Sequence, residues 1–369
     1  MRARTSRLGC GSLKPGARNA ITDVPGVRVG HCSVVQGATI RTGVTAVVPH
    51  GGDLFRDKPV AAAAVLNGFG KSIGLIQLAE LGVLETPILL TNTLSVGVCG
   101  TALIRRAIAA NPAIGREAPT VNPLVAECND GFLNDIQALA VTEAHAEAAL
   151  DAAAESFASG AVGAGTGMSC FGFKGGIGTA SRRVSLDGSS YHLGALVLAN
   201  FGRAGDLRLP DGRRVKPPTE ASPTASGAAA PPGALSAAEI DPPSMPDAGD
   251  SPETGSCIVV LATDVPLDHR QLGRVARRAG VGLAWCGAFW GHGSGDIAVA
   301  FTTANRMPAA PEQALVPQTV LAEGRIDRLF QAAAEATQEA VLDALAAAET
   351  MEGRDGHRRI GLRHVLTGS

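Results

Sequence analysis

Short, mainly apolar runs bounded by Gly, Pro, Asn or Asp recur at 43–49, 86–91, 194–201, 257–263 and 296–303. Runs of that length and flanking predict strands. Little polar alternation interrupts them, so both faces of each strand are expected to lie against other layers. Helical periodicity marks 100–110, 133–155, 268–278 and 325–349. The last is the clearest: Ile326, Leu329, Phe330, Ala333, Ala336, Ala340, Val341 and Ala344 recur at helical spacing with no Gly or Pro among them. No internal repeat is evident. The pattern predicts helices packed outside central sheets, with both halves of the chain contributing.

That pattern stops at 210–254. Ten of the 22 prolines fall there, among Ala, Ser, Gly and Asp and without one aromatic residue. Such a segment buries too little apolar surface to offset its ordering entropy and reads as disordered. It divides the chain into 1–209, a linker at 210–255, and 256–369.

Composition narrows the functional classes. With 369 residues, 45% hydrophobic and net charge -2, the chain has neither the composition of a mainly disordered protein nor the basic footprint of a nucleic-acid binder. Seven cysteines are spread without C-x-x-C, and the eight histidines form no metal-ligand spacing. Free thiols in a reducing compartment, no metal and no cofactor are the expectation. Residues 1–20 lack the apolar core of a signal peptide, and no run approaches the ~18–20 apolar residues of a membrane helix. A cytoplasmic protein without a membrane or nucleic-acid partner is expected.

Two motifs fail on spacing. The glycines of 163–167 and 172–178 match neither the dinucleotide fingerprint nor the phosphate loop, because Gly175 follows Lys174. They read as close backbone approaches. Ser294 has His292 where a nucleophile elbow requires glycine, so His292 reads as a loop residue.

The chemistry concentrates where the linker meets a strand, at Gly255-Ser-Cys-Ile-Val-Val-Leu-Ala-Thr-Asp264. A Gly-Ser pair can simply mark a strand start, but it also suits self-cleavage. The hydroxyl attacks the preceding carbonyl to give an ester that water resolves, and glycine offers no side chain to obstruct it. The freed α-amine of Ser256, with a typical pKa of about 7.7–8.0, could then serve as base for its own hydroxyl.

This segment and five others in the same order resemble the DmpA-like P1 peptidases of family S58, the β-aminopeptidases and L-aminopeptidase/D-esterases. The others begin Ile21-Thr-Asp-Val-Pro-Gly26, Glu127-Cys-Asn-Asp-Gly131, Gly163-Ala-Gly-Thr-Gly167, Leu196-Val-Leu-Ala-Asn200 and Gly293-Ser-Gly-Asp296. The resemblance covers nearly everything outside the linker. It implies an α+β fold, a four-layer αββα sandwich similar to N-terminal-nucleophile hydrolases. It also implies cleavage between Gly255 and Ser256 into two associated polypeptides, part of a homotetramer or larger assembly.

By the same resemblance Ser256 is the nucleophile and Asn200 the oxyanion donor. Ser294 and Asp296 form the Ser-x-acid pair, with Asp where many relatives have Glu. Glu127 faces the substrate's amino end, and Asn129 stands where some relatives carry Tyr. Cys257 reads as a small buried residue. The implied activity is hydrolysis of short peptides, amides or esters from their N-terminal end. Alternatives are a related hydrolase of β-peptides, D-aminoacyl amides or nylon-like oligomers, an acyltransferase of the ornithine-acetyltransferase type, or a binding protein retaining a processed site. An acyltransferase of that type usually carries Thr as nucleophile. Deleting part of 217–250 is expected to leave a soluble, folded protein; loss of soluble material would contradict the assignment of that segment as disordered.

Overall fold

Residues 8, 10–218 and 253–366 are described by the computed structural model. In chain order the main strands are β1 (Arg28–Gln36), β2 (Ile40–Val48), β3 (Asp57–Gly68), β4 (Ile88–Asn92), β5 (Leu124–Cys128), β6 (Gly176–Leu186), β7 (Ser189–Asn200), β8 (Thr254–Thr263) and β9 (Gly293–Pro308). The main helices are α1 (Leu75–Leu81), α2 (Val96–Ala110), α3 (Glu143–Asp151), α4 (His269–Ala276), α5 (Ala279–Trp285) and α6 (Asp327–Ala347).

Four strands form one sheet in the order β1-β2-β4-β5, and five form the other in the order β3-β9-β8-β7-β6. Period-two alternation explains how they stack. Along β8, Ile258 and Val260 enter the cluster between the sheets, with Ile88 and Leu90 of β4. Cys257, Val259 and Leu261 point the other way, into a cluster with Leu272, Leu283 and Leu345 of α4, α5 and α6. On the far side, Val44, Leu89 and Val125 pack against Cys99 and Leu103 of α2 and Ala146 of α3. The layers are therefore helix, sheet, sheet, helix, and β8, from the C-terminal part of the chain, lies between β7 and β9 at the middle of its sheet.

Three sequence expectations need correction. The helix expected at 133–155 is confined to Glu143–Asp151, preceded by a single 3-10 turn. Asn134 is spent on a tertiary bond from the Arg41 N–H (2.9 Å) and a local one to Asp130 (3.0 Å), and Leu139 adopts φ +46°, which ends the turn. Order also continues past 209: Leu207–Arg208 pairs with Arg214–Val215, and Leu209 and Val215 are buried. The remainder of the expected linker, 219–252, lies outside the described residues. Finally, Thr93–Ala110 reaches a mean hydropathy of 1.3, enough by length and composition for a spanning helix. Arg105 and Arg106 interrupt it, and its Cys99, Ala102 and Leu103 are buried on the first sheet.

The helix α6 is buried along most of its length although it carries Glu335, Glu339 and Asp343. A fully buried Arg182 on β6 answers two of these charges, donating to Glu335 at 3.0 Å and Glu339 at 2.8 Å. Its guanidinium also donates to the Cys10 carbonyl (2.7 Å), while Glu335 accepts the Ser12 and Leu13 amides, so the irregular segment at 10–13 is strapped to α6. Removing one partner of a buried charge cluster strands the others. Arg182→Ala is expected to lose about 3–5 kcal/mol in urea denaturation. Glu335→Gln and Glu339→Gln added to it should recover part of that; a loss under about 1 kcal/mol would mean the carboxylates find other partners.

Candidate active site

Alternation along β8 decides where the junction side chains go. Ser256 shares a face with Ile258 and Val260, between the sheets, whereas Cys257 is buried on the helix-covered face. Burial pushes the Cys257 thiol well above its ordinary pKa, consistent with an inert packing residue. Register supplies the neighbours of Ser256: Asn200 opposite it on β7 and Gly295 opposite it on β9.

The Ser256 hydroxyl donates to the Gly255 carbonyl oxygen at 2.6 Å. Gly255 has φ +133°, and a Cβ on it would meet the Asn200 carbonyl oxygen at 2.1 Å. Only glycine fits there. The peptide group before Ser256 is thus held in a glycine-only conformation with the hydroxyl against its carbonyl.

Asn200 is buried and its amide orientation is settled by two bonds. Its Oδ1 accepts the Ser169 N–H at 2.9 Å, and its Nδ2 donates to the Asn129 carbonyl at 2.9 Å. An amide nitrogen has a second N–H to give, which makes Asn200 apt for an oxyanion. The loop carrying Ser169 is pinned by Lys174, a residue to which the sequence pattern assigned no role. Its fully buried Nζ donates to the carbonyls of Gly165 (3.0 Å), Met168 (2.8 Å) and Gly175 (2.9 Å). Burial pushes its pKa down to about 7, opposed by the charge of Asp130.

Glu127, at the end of β5, is buried with both oxygens engaged: one accepts the Lys71 N–H at 2.9 Å, the other the Thr93 hydroxyl. Glu127, Asn129, Asn200, Gly255 and Ser256 line one cleft of about 1010 Å³. Asn129 takes part through its carbonyl on Asn200, while its side chain accepts the Gly131 N–H at 2.8 Å. Lys71, Arg203, Arg354 and Arg359 complete a cationic lining. These four are scattered along the chain, so no local pattern marks them. Arg359 lies over the Phe132 ring at 3.5 Å, with His357 stacked on that ring at 4.5 Å.

Ser294 and Asp296 are placed differently. They are in register with Gly255 and Cys257, one rung either side of Ser256, and alternation puts them on the opposite face from its hydroxyl. Both are fully buried and flank the Ser256 backbone from beneath the cleft. Neither the Ser294 hydroxyl nor either Asp296 oxygen closes a well-formed hydrogen bond. Burial pushes the Asp296 pKa up to about 6, with the Ser294 hydroxyl and the Cys257 amide near enough to temper the shift. His292 is exposed in the loop before them, as its sequence context implied. Among the described residues, no group of three or more His, Cys, Asp or Glu side chains is placed to hold a metal ion. A second cavity, of about 420 Å³ and lined by His50, Asp53 and Arg106, contains none of the junction residues.

Two facing sheets between helical layers are the architecture of the Ntn hydrolase fold. The chain belongs to peptidase family S58, which it matches over residues 19–359. It is 39% identical over 368 residues to the β-peptidyl aminopeptidase BapA of Sphingosinicella microcystinivorans, covering 95% of this chain and 87% of that one. Among solved structures it resembles a Burkholderia sp. β-aminopeptidase with TM-score 0.84 and 40% identity, covering 100% of this chain and 98% of that one. It also resembles the L-aminopeptidase D-Ala-esterase/amidase of Ochrobactrum anthropi, a variant of the Ntn hydrolase fold, with TM-score 0.83 and 34% identity over 99% and 96% of the two chains. Membership of this family makes the protein a hydrolase of the aminopeptidase and amidase class.

The Asp296 shift has a thermodynamic consequence. An acid whose folded pKa, about 6, exceeds its ordinary 3.8 is protonated preferentially in the folded state. Its contribution is fully present below the lower value and is lost as pH rises through the upper one. Asp130, also pushed up to about 6 by burial, adds the same sign. Asp296→Asn is expected to flatten stability against pH between about 4 and 6 and to gain on the order of 2–3 kcal/mol at neutral pH. Urea denaturation at several pH values measures both, and an unchanged slope would assign the titration elsewhere.

Proposed function

We propose that the protein is a self-processing N-terminal-serine aminopeptidase, cut between Gly255 and Ser256, that releases N-terminal aminoacyl groups from short peptides, amides or esters. The observation that carries this reading is the 2.6 Å contact of the Ser256 hydroxyl with the carbonyl of Gly255, at a position where only glycine fits. In the first step Oγ bonds to the Gly255 carbonyl carbon and gives up its proton. The C–N bond then breaks and the Ser256 nitrogen gains a proton, leaving an ester. Water hydrolyses the ester to a Gly255 carboxylate and frees both the amine and the hydroxyl of Ser256.

For substrates, the freed amine takes the proton of Oγ as the hydroxyl attacks the acyl carbon. The Asn200 Nδ2 donates to the oxyanion, and the Glu127 carboxylate faces the substrate ammonium. Ser294 and Asp296, flanking the Ser256 backbone, hold the new amine; the anionic form of Asp296 needed for this prevails above about pH 6. The two products, 1–255 and 256–369, stay associated because β8 pairs with β7 and β9 with β3 across the cut. Assembly into a homotetramer or larger oligomer is part of the same reading. β-Aminoacyl substrates are a second reading, favoured by the β-peptidyl aminopeptidase named among its relatives.

Intact-mass measurement of purified wild type beside Ser256→Ala tests the proposal. Wild type alone should yield a fragment beginning Ser-Cys-Ile-Val, and an intact wild-type chain after prolonged incubation would remove it. Asn200→Ala should lower kcat on aminoacyl amides by about 10²–10³, the usual loss for one oxyanion donor. A panel of L-, D- and β-aminoacyl amides then ranks the acyl groups.

A further inference from the structure

Glu253, the third residue before the scissile bond, is buried although the sequence ahead of it is polar and proline-rich. Its Oε2 accepts two backbone amides of one loop, Phe289 at 3.3 Å and Gly291 at 3.0 Å. The loop is shaped for it. Trp290 is held at φ +55°, and a Cβ on Gly291 would meet the Glu253 carbonyl oxygen at 2.6 Å and its Cβ at 2.8 Å. Only a glycine lets the loop close on the Glu253 backbone this tightly. The loop is tied in turn to the site, since the Gly291 carbonyl accepts the Asn67 amide at 2.9 Å and the Ser294 N–H at 2.9 Å.

The consequence for the junction follows from where the chain is held. From Ser256 on, position is set by the ladders of β8 to both β7 and β9, whereas Thr254 and Gly255 are paired to β9 alone. Ahead of that one-sided pairing, Glu253 adds side-chain hydrogen bonds that anchor the end of the strand. A strand end paired on one edge holds its backbone less firmly than one also anchored ahead of it, and the second anchor keeps the carbonyl in the contact that attack requires.

We propose that Glu253 is a positioning residue for self-cleavage, latching the acyl half of the scissile bond onto the 289–291 amides so that the Gly255 carbonyl stays against the Ser256 hydroxyl. This rests on the self-processing reading above. The latch acts by accepting hydrogen bonds, so the acceptor and its reach matter more than its charge. The unpartnered, buried Oε1 fits that role, because it makes a neutral side chain acceptable there. Burial also pushes the carboxyl pKa up, with the Phe289 and Gly291 amides and Arg203 opposing and Asp206 reinforcing.

The test is the rate at which full-length precursor is converted to the Ser-Cys-Ile-Val fragment, followed by mass in wild type, Glu253→Ala, Glu253→Asp and Glu253→Gln. Ala removes the acceptor and Asp shortens it by one methylene, so both should slow conversion at least about tenfold. Gln keeps an acceptor at full reach and should stay within about threefold of wild type. Melting temperatures taken in parallel show that Asp, the mildest change, is folded. Conversion of Ala and Asp at the wild-type rate overturns the proposal, as does a loss in Gln as deep as that in Ala. A wild type that never converts removes the self-processing reading itself and the latch with it.

Discussion

The pairing of β8 with β7 on one edge and β9 on the other is the constraint from which the site follows. It sets Ser256 on a rung with Asn200 and Gly295, turns the hydroxyl toward the space between the sheets, and sends Cys257 into the helix-covered core. Shifting that ladder by one residue would exchange the two faces, bury the hydroxyl among α4, α5 and α6, and set the thiol in the cleft. The apolar run after Ser256 prevents the slip, because both of its faces are committed to packed clusters.

Around this rung the protein keeps polar groups at depth and satisfies them unequally. Lys174 finds three carbonyls and Glu127 two donors, so each rigidifies the backbone it touches. Asp296 and Ser294 find no well-formed bond. A buried carboxyl and hydroxyl left unmatched cost stability. Such groups concentrate where chemistry needs a polar atom held ready rather than satisfied. The contrast sets the satisfied groups that hold the backbone against the unmatched pair beneath the cleft.

The fold was legible where periodicity and burial agree. The runs at 257–263 and 296–303 became β8 and β9, and α6 spans nearly the stretch its helical spacing marked. β3 escaped because its centre is a run of alanines, good helix formers that here pair along β9. β6 escaped because it looked like a loop: its glycines and polar residues face a helix and a partner strand rather than solvent. The helix expected at 133–155 failed in the opposite sense, as the tertiary hydrogen bond from Arg41 to Asn134 outweighed local periodicity. Of the candidate site, the motifs located the rung and its neighbours. They did not carry Lys174 or Glu253, whose roles depend on burial, nor the separation of Asp296 from the hydroxyl, which depends on strand register.

The central position of β8 also fixes how the molecule could be rebuilt after denaturation. As one chain, it brings β8 between its neighbours through an intramolecular closure whose entropy cost grows only slowly with linker length. Once severed before Ser256, the same strand would have to find its slot by collision, so recovery would become a second-order process that dilution slows. The native state would then owe its persistence to a barrier as much as to an equilibrium. Such a protein would be assembled once, as a single thread, and thereafter kept rather than remade.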